Sequence, residues 1–306
     1  MFHQESLMFN QESYDRHSEW YNLHYPTEAN KVAYYKKVKA LSDDTVSKWL
    51  QNIFFRCLTP LLVTPSQKWL TVGDAYGFDA QYILSNGGNA LATDLNIDFL
   101  KVAKDEEIIR EYAAENAEKL SFDNDKFDYV LCKESYHHFP RPYAALYEMI
   151  RVAKKGIVVI EPQDPVSKMP LLLLLNNLLA NYVHLLNKVW KNRFSYEPVG
   201  NFVYKVSERE FEKFAAGLNL PLVAFKKINP NFYFQGAADV KTDDKNSKFL
   251  LIKIKKKLLD ILVSLKILPG QVLATIVFKQ FPNDNELKKL KKTGYHLVYI
   301  PKNPYL

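Results

Sequence analysis

Lys68-Trp69-Leu70-Thr71-Val72-Gly73-Asp74-Ala75-Tyr76-Gly77 is the stretch on which the fold of this chain turns. Residues 68–74 suit a short buried strand that runs into a turn. Gly73, Ala75 and Gly77 place small residues at every second position, and a helical pattern follows at 80–88. Small side chains there let the backbone approach a ligand, and the helix N-terminus offers free N–H groups. At the end of the next apolar run (89–94) stands Asp94. A strand-end carboxylate in that place can accept hydrogen bonds from both hydroxyls of a ribose. Read alone, the pair also fits a tight turn beside a solvated aspartate. A dinucleotide-type G-x-G-x-x-G would need glycines at Ala75 and Phe78.

Outward from this point, strands and helices alternate. Residues 96–104 suit a helix, 126–133 a strand, 142–156 a helix opened by Pro142 and closed by Gly156, and 155–162 a strand. That rhythm predicts an α/β fold with a doubly wound, mostly parallel sheet. Upstream, Val46, Trp49, Leu50, Ile53, Phe54, Cys57 and Leu58 form the stripe of an amphipathic helix begun by Asp43 or Asp44. Downstream, the apolar spacing suggests one long helix from Leu171 to Trp190. Ser207 and Glu210 carry a capping-box pattern for another helix. Strands are expected at 221–228, 271–281 and 295–301, with helices at 247–267 and 285–294. The expected organisation is an N-terminal helical segment (1–62) and one core domain (63–306), with insertions at about 163–206 and 229–270, after the fifth and sixth strands.

Three further pieces follow the glycine turn in order: Glu115-Asn116-Ala117-Glu118-Lys119-Leu120-Ser121-Phe122, then Asp128-Tyr129-Val130-Leu131-Cys132, then His137-His138-Phe139. Together they resemble the class I S-adenosylmethionine-dependent methyltransferases, and most closely their small-molecule branch. The resemblance covers roughly residues 68–161 and implies a Rossmann-like methyltransferase fold with S-adenosylmethionine as cofactor. It implies that Gly73, Asp74, Ala75 and Gly77 line the methionine end. Asp94 and Leu95 would meet the ribose, and Asn116 and Ala117 the adenine edge. Lys133 and Glu134 would face the sulfonium and the incoming acceptor. Where the family usually carries an acid two residues before the first glycine, this chain has Thr71, and Asp74 is close enough to serve instead.

Methyl transfer to oxygen or nitrogen can use a base, for which histidine has a suitable pKa. His137 and His138 follow the strand ending nearest the methyl group, so they join Glu134 as catalytic candidates, His137 ahead of His138; packing at a helix entry is the plain alternative. Tyr14, His17, Trp20, Tyr21 and Tyr25 crowd rings ahead of the core and suit a lid that stacks on substrate. No metal spacing is evident, and Cys57 and Cys132 stand far apart, which fits a reducing, cytoplasmic setting. The polar N-terminus lacks the apolar core of a signal peptide.

The chain is 47% hydrophobic and 25% charged, an ordinary composition for a folded protein. Of its net charge of +7, residues 241–306 contribute 14 lysines against 5 acids. A lysine excess without arginine suits a solvated surface or loose attraction to phosphate and anionic lipid. Nucleic acid is disfavoured, because Cys132-Lys133-Glu134-Ser135 stands where a base-clamping Pro-Pro-aromatic run would be. The expected activity is methylation of a small molecule, at a sugar or secondary-metabolite hydroxyl. A non-catalytic cofactor-binding scaffold and a lipid-methylating enzyme with peripheral membrane contact through the lysine-rich region stay open. Oligomeric state is not legible.

Overall fold

The computed structural model describes residues 2–39, 44–164, 169–189, 194–197, 201–230 and 235–305. Its centre is an eight-stranded sheet in the order β3-β2-β1-β4-β5-β7-β6-β8. The strands are β1 (Lys68–Val72), β2 (Asn89–Asp94), β3 (Glu111–Ala114), β4 (Phe127–Lys133), β5 (Ala153–Pro162), β6 (Leu222–Ile228), β7 (Val272–Phe278) and β8 (His296–Tyr299). The first five are parallel, and β7 runs antiparallel between β5 and β6. β8 adds an antiparallel edge to β6. The short β3 escaped the sequence reading: its four residues, Glu-Tyr-Ala-Ala, have too little branched or apolar character to stand out.

Alternation along the strands splits the core into two layers. Trp69, Tyr129, Leu131, Ile160, Ala224 and Ile276 pack on one face; Leu70, Val130, Cys132, Val159, Val223 and Val277 pack on the other. The N-terminal helices are α1 (Phe2–His24), α2 (Glu28–Lys39) and α3 (Val46–Phe55). Tyr35, Phe54 and Leu58 share the first layer with Trp69, so residues 1–62 are joined to the sheet through a common core. Thr45 caps α3 by accepting a hydrogen bond from the Lys48 amide, whereas Asp44 pairs with Lys241. Asp43 lies outside the described residues.

Between the strands run α4 (Phe78–Ser85), α5 (Asp98–Asp105) and α6 (Pro142–Val152). The expected long helix is two: α7 (Pro170–Leu178) and α8 (Val183–Val189), with Trp190 outside the described residues. The ladder tightens to three-residue bonds, Ala180 N to Asn177 O and Tyr182 N to Leu179 O, and the chain turns. α9 (Glu208–Gly217) opens with the Ser207–Glu210 capping box that the sequence predicts. α10 (Ser247–Ser264) and α11 (Asp284–Lys292) complete the helices.

Candidate active site

At the carboxyl end of the parallel strands the turn after β1 is held tightly. Gly73 has φ +70°, and an added Cβ would collide with the Ser135 side chain. Gly77 has φ +71°, and a Cβ there would stand 2.9 Å from the Ile109 side chain. Only glycine meets both demands at either position.

Asp74 sits differently from its expected role. It is buried, its Oδ2 accepts from the Thr71 hydroxyl at 2.9 Å and from the Ala80 amide at 2.9 Å, and its Oδ1 accepts from the Asp79 amide at 3.2 Å. Its carboxylate thus lies against the position where the family carries its acid, but it is spent on the start of α4. Lys133 is likewise engaged: its ammonium lies 3.2 Å from buried Asp79 and 3.6 Å from Glu134. Burial pushes the Asp79 carboxyl up and Lys133 pulls it back, leaving it at about 7.

A cavity of about 840 Å³, its open mouth included, runs from this turn along the ends of β2 and β4. Gly73, Ala75, Asp94, Leu95, Asn116 and Ala117 form one wall. Asp94 Oδ1 accepts from the Asn96 amide at 2.9 Å, and burial raises its carboxyl to about 7. Gly77 stands behind the turn as its hinge, outside the lining. A second hollow shares Gly73, Ala75 and Glu134 and reaches Asp79, Lys133, Phe54 and Phe55 on the far side of the loop. Glu134 sits at the junction in the left-handed region, φ 54°, a strained place for a residue with a side chain.

The opposite wall comes from distant segments. Tyr14, His17 and Tyr21 line the cavity from one face of α1. Ser13, fully packed behind them, donates to Asn201 Oδ1 at 2.6 Å, and Asn201 donates to the His138 carbonyl at 3.1 Å. Trp20 and Tyr25 do not join this lining. Trp20 falls one residue off the helical face, stacked on His24 at 4.1 Å, and Tyr25 packs on Tyr34 and Phe99 at 4.7 and 5.1 Å.

His138, not His137, lines the cavity. Its Nδ1 lies 2.5 Å from Glu197 Oε1. Burial pushes the Glu197 carboxyl up, but the hydrogen bond to His138 and the charges of the neighbouring histidines carry it net downward. His17 is held below its ordinary value by burial and by His138. His137 stands behind, Nδ1 2.5 Å from Glu161 Oε2. Glu161 is fully buried, and its Oε1 accepts from the Ser135 and Tyr136 amides, each at 2.8 Å. Burial lowers the His137 pKa, yet Glu161 outweighs it and the net shift is upward. Sequence reasoning missed Glu161, Glu197 and Asn201, since nothing local marks them. His137, His138 and Glu197 also bring atoms able to ligate a metal within 4.8 Å of one another.

The cofactor wall fits S-adenosylmethionine on two counts. Gly73 lines the cavity without a side chain, so its backbone forms part of the wall. The buried Tyr14 hydroxyl approaches Asn116 and Glu118 without closing a hydrogen bond among the described residues. A polar ligand edge beside Asn116 would satisfy it.

Residues 70–160 match a family model described as a methyltransferase domain. A search of curated proteins finds no match. Among solved structures, a SAM-dependent methyltransferase from Archaeoglobus fulgidus is 15% identical, covering 75% of this chain and 94% of its own, with TM-score 0.47. The 1,6-didemethyltoxoflavin-N1-methyltransferase of Burkholderia thailandensis, with bound S-adenosylhomocysteine, is 12% identical over 83% and 87%, TM-score 0.45. A chain in the complex of the Haloferax volcanii Trm112 methyltransferase activator is 14% identical over 82% and 96%, TM-score 0.49. The family match spans β1 to β5 and the turns between them, so residues 70–160 are similar to a methyltransferase domain over the strands and turns that form this wall.

Proposed function

We propose that this methyltransferase acts on a hydroxyl oxygen of a small molecule, with His138 as the base. The observation that carries the reading is His138 in the lining of the cavity that Asp94 and Asn116 also line, with Glu197 held against its Nδ1. S-adenosylmethionine supplies a sulfonium-activated methyl group, so the protein's work is alignment, exclusion of water and removal of one proton.

Asp94 accepts from the ribose hydroxyls, and Asn116 with Ala117 meets the adenine. The acceptor lies between Glu134, His138 and the rings of His17 and Tyr21. Nδ1–H of His138 donates to Glu197, which leaves Nε2 free of that bond to take the hydroxyl proton. His138 Nε2 would take the proton that the hydroxyl loses when its oxygen gains the methyl group and the C–S bond of the sulfonium breaks to leave S-adenosylhomocysteine, and Glu197 would stabilise the resulting imidazolium. Tyr14, His17 and Tyr21 on α1 close the site against solvent. His137 positions the turn through Glu161.

The test is incubation of the protein with methyl-labelled S-adenosylmethionine and a metabolite extract, followed by identification of the labelled product. An O-methyl ether or ester supports the reading. A methylated nitrogen or carbon overturns the oxygen assignment. Calorimetric binding of the cofactor with no labelled product in any extract favours a non-catalytic, cofactor-binding protein.

A further inference from the structure

α10 has two apolar sides, and only one of them is used by the fold. At ~100° per residue, Leu250, Leu251, Ile254, Leu258, Ile261 and Leu265 fall within ~100° of arc, while Phe249, Ile252 and Val263 gather on the far side. The second group is buried; the first is between 45% and 62% exposed. Scattered exposed leucines are ordinary, but a continuous stripe along an 18-residue helix is a surface that mates with something.

The charges beside the stripe say what. Lys253 and Lys257 flank one edge, and Lys248 and Lys255 flank the other. Across 247–268 there are six lysines and one acid, Asp260, which is engaged with Lys256 and Asn229. A second copy of this face would set lysine against lysine. An apolar stripe edged on both sides by long cationic chains matches a bilayer interface: the aliphatic stems follow the stripe inward while the ammonium groups reach lipid phosphates. No helix among the described residues is long and apolar enough to cross a membrane, so α10 would lie on the surface.

We propose that α10 docks the protein on anionic membranes, in the interfacial plane, with the Leu250–Leu265 stripe toward the acyl chains. The inference does not depend on which acceptor is methylated. It would place the enzyme beside acceptors dissolved in, or released from, the bilayer.

Co-sedimentation of the full chain with vesicles tests it. One set is phosphatidylcholine alone; the other is equal parts phosphatidylcholine and phosphatidylglycerol. The anionic set should bind at least about tenfold more tightly, and the difference should shrink at high salt. Leu258→Gln with Ile261→Gln, both exposed, should abolish binding while cofactor affinity and thermal unfolding stay unchanged. Lys248→Glu with Lys257→Glu should weaken anionic binding by about tenfold or more. Equal binding to both vesicle sets, no binding to either, or a dimer in sedimentation velocity that Leu258→Gln dissolves would overturn the proposal. The last result would give the stripe to a second copy of this chain.

Discussion

The two walls of the cavity are built in opposite ways. The wall proposed for the cofactor is local: Gly73, Asp94 and Asn116 each follow the end of a parallel strand, and strand order alone brings them together. The wall proposed for the acceptor joins α1, the turn at residues 136–138, Glu197 and Asn201, which are bridged by long-range contacts such as Ser13 to Asn201. A wall made of strand ends inherits the rigidity of the sheet. A wall made of distant segments can change its ligand without disturbing the fold, and its parts can be removed singly. The two should therefore respond to mutation with different readouts, turnover on one side and cofactor affinity on the other.

The strongest test of that division is His138→Ala. Loss of the proton acceptor should lower turnover by about 10²–10⁴-fold with cofactor affinity nearly unchanged. His137→Ala should cost less, about tenfold, because His137 lies outside the cavity and acts through Glu161 on the turn. Steady-state kinetics beside calorimetry decide the matter, and the reverse ranking would return the base to His137. A chelator should leave turnover intact, since the proton pair needs no ion. Loss of turnover restored by added zinc or manganese would turn His137, His138 and Glu197 into a metal site instead.

On the other wall, Asp94→Ala should weaken S-adenosylmethionine binding by about 1.5–3 kcal/mol, the range of charge-assisted hydrogen bonds. The sheet should still fold, because this carboxylate supports the nearby amides of Asn96 and Leu95 in the turn after β2 and not the sheet itself. Unchanged affinity would remove Asp94 from the site and undo the alignment of the whole motif.

The same carboxylate sets a pH dependence. Burial holds Asp94 at about 7, and only its ionised form accepts from two hydroxyls. Below neutrality the proton must leave before the ribose binds, so affinity falls as pH drops. Between pH 8 and pH 6, roughly a tenfold weakening follows from the change in ionised fraction. Asp94→Asn should flatten that profile, and a profile equally steep in the variant would assign the proton elsewhere, Asp79 being the next group in that range.

How far the sequence carries the reading differs between the walls for the same reason. Small residues at 73, 75 and 77 and then Asp94 are read from the spacing of strands and turns, whereas Asn116 enters only through the family resemblance, because β3 before it leaves no apolar signal. The sheet from β1 to β7 is legible as alternating apolar runs, except four-residue β3. Glu161 and Glu197 leave no local signal: one is a polar residue at the end of an apolar strand, the other sits in a long insertion. His138 outranks His137 only once Glu197 is placed beside it. The rings of α1 are expected from the sequence either as a lid over substrate or as the packing of a docked helix, and which of them face inward depends on its rotation. That puts Tyr14 and Tyr21 in and Trp20 out. Asp74 had the right location and the wrong partner, since Thr71 and the start of α4 take its oxygens.

The smallest effect expected is also the one that joins the two walls. Tyr14 reaches from α1, on the acceptor side, to the adenine end of the cofactor wall, and its buried hydroxyl closes no hydrogen bond there among the described residues. An unsatisfied buried hydroxyl costs free energy in the ligand-free protein, about 1–3 kcal/mol at most. If the cofactor's polar edge completes that bond, Tyr14→Phe has opposite signs in the two states. The ligand-free variant should unfold at a slightly higher temperature, because the orphaned group is gone and the ring still packs. Its affinity for S-adenosylmethionine should fall by about 0.5–1.5 kcal/mol, the net worth of one hydrogen bond. Thermal unfolding with and without the cofactor measures both at once: the ligand-induced rise in unfolding temperature should shrink from both ends. Equal shifts in wild type and variant would mean that the hydroxyl meets solvent rather than ligand, and α1 would then cover the acceptor alone.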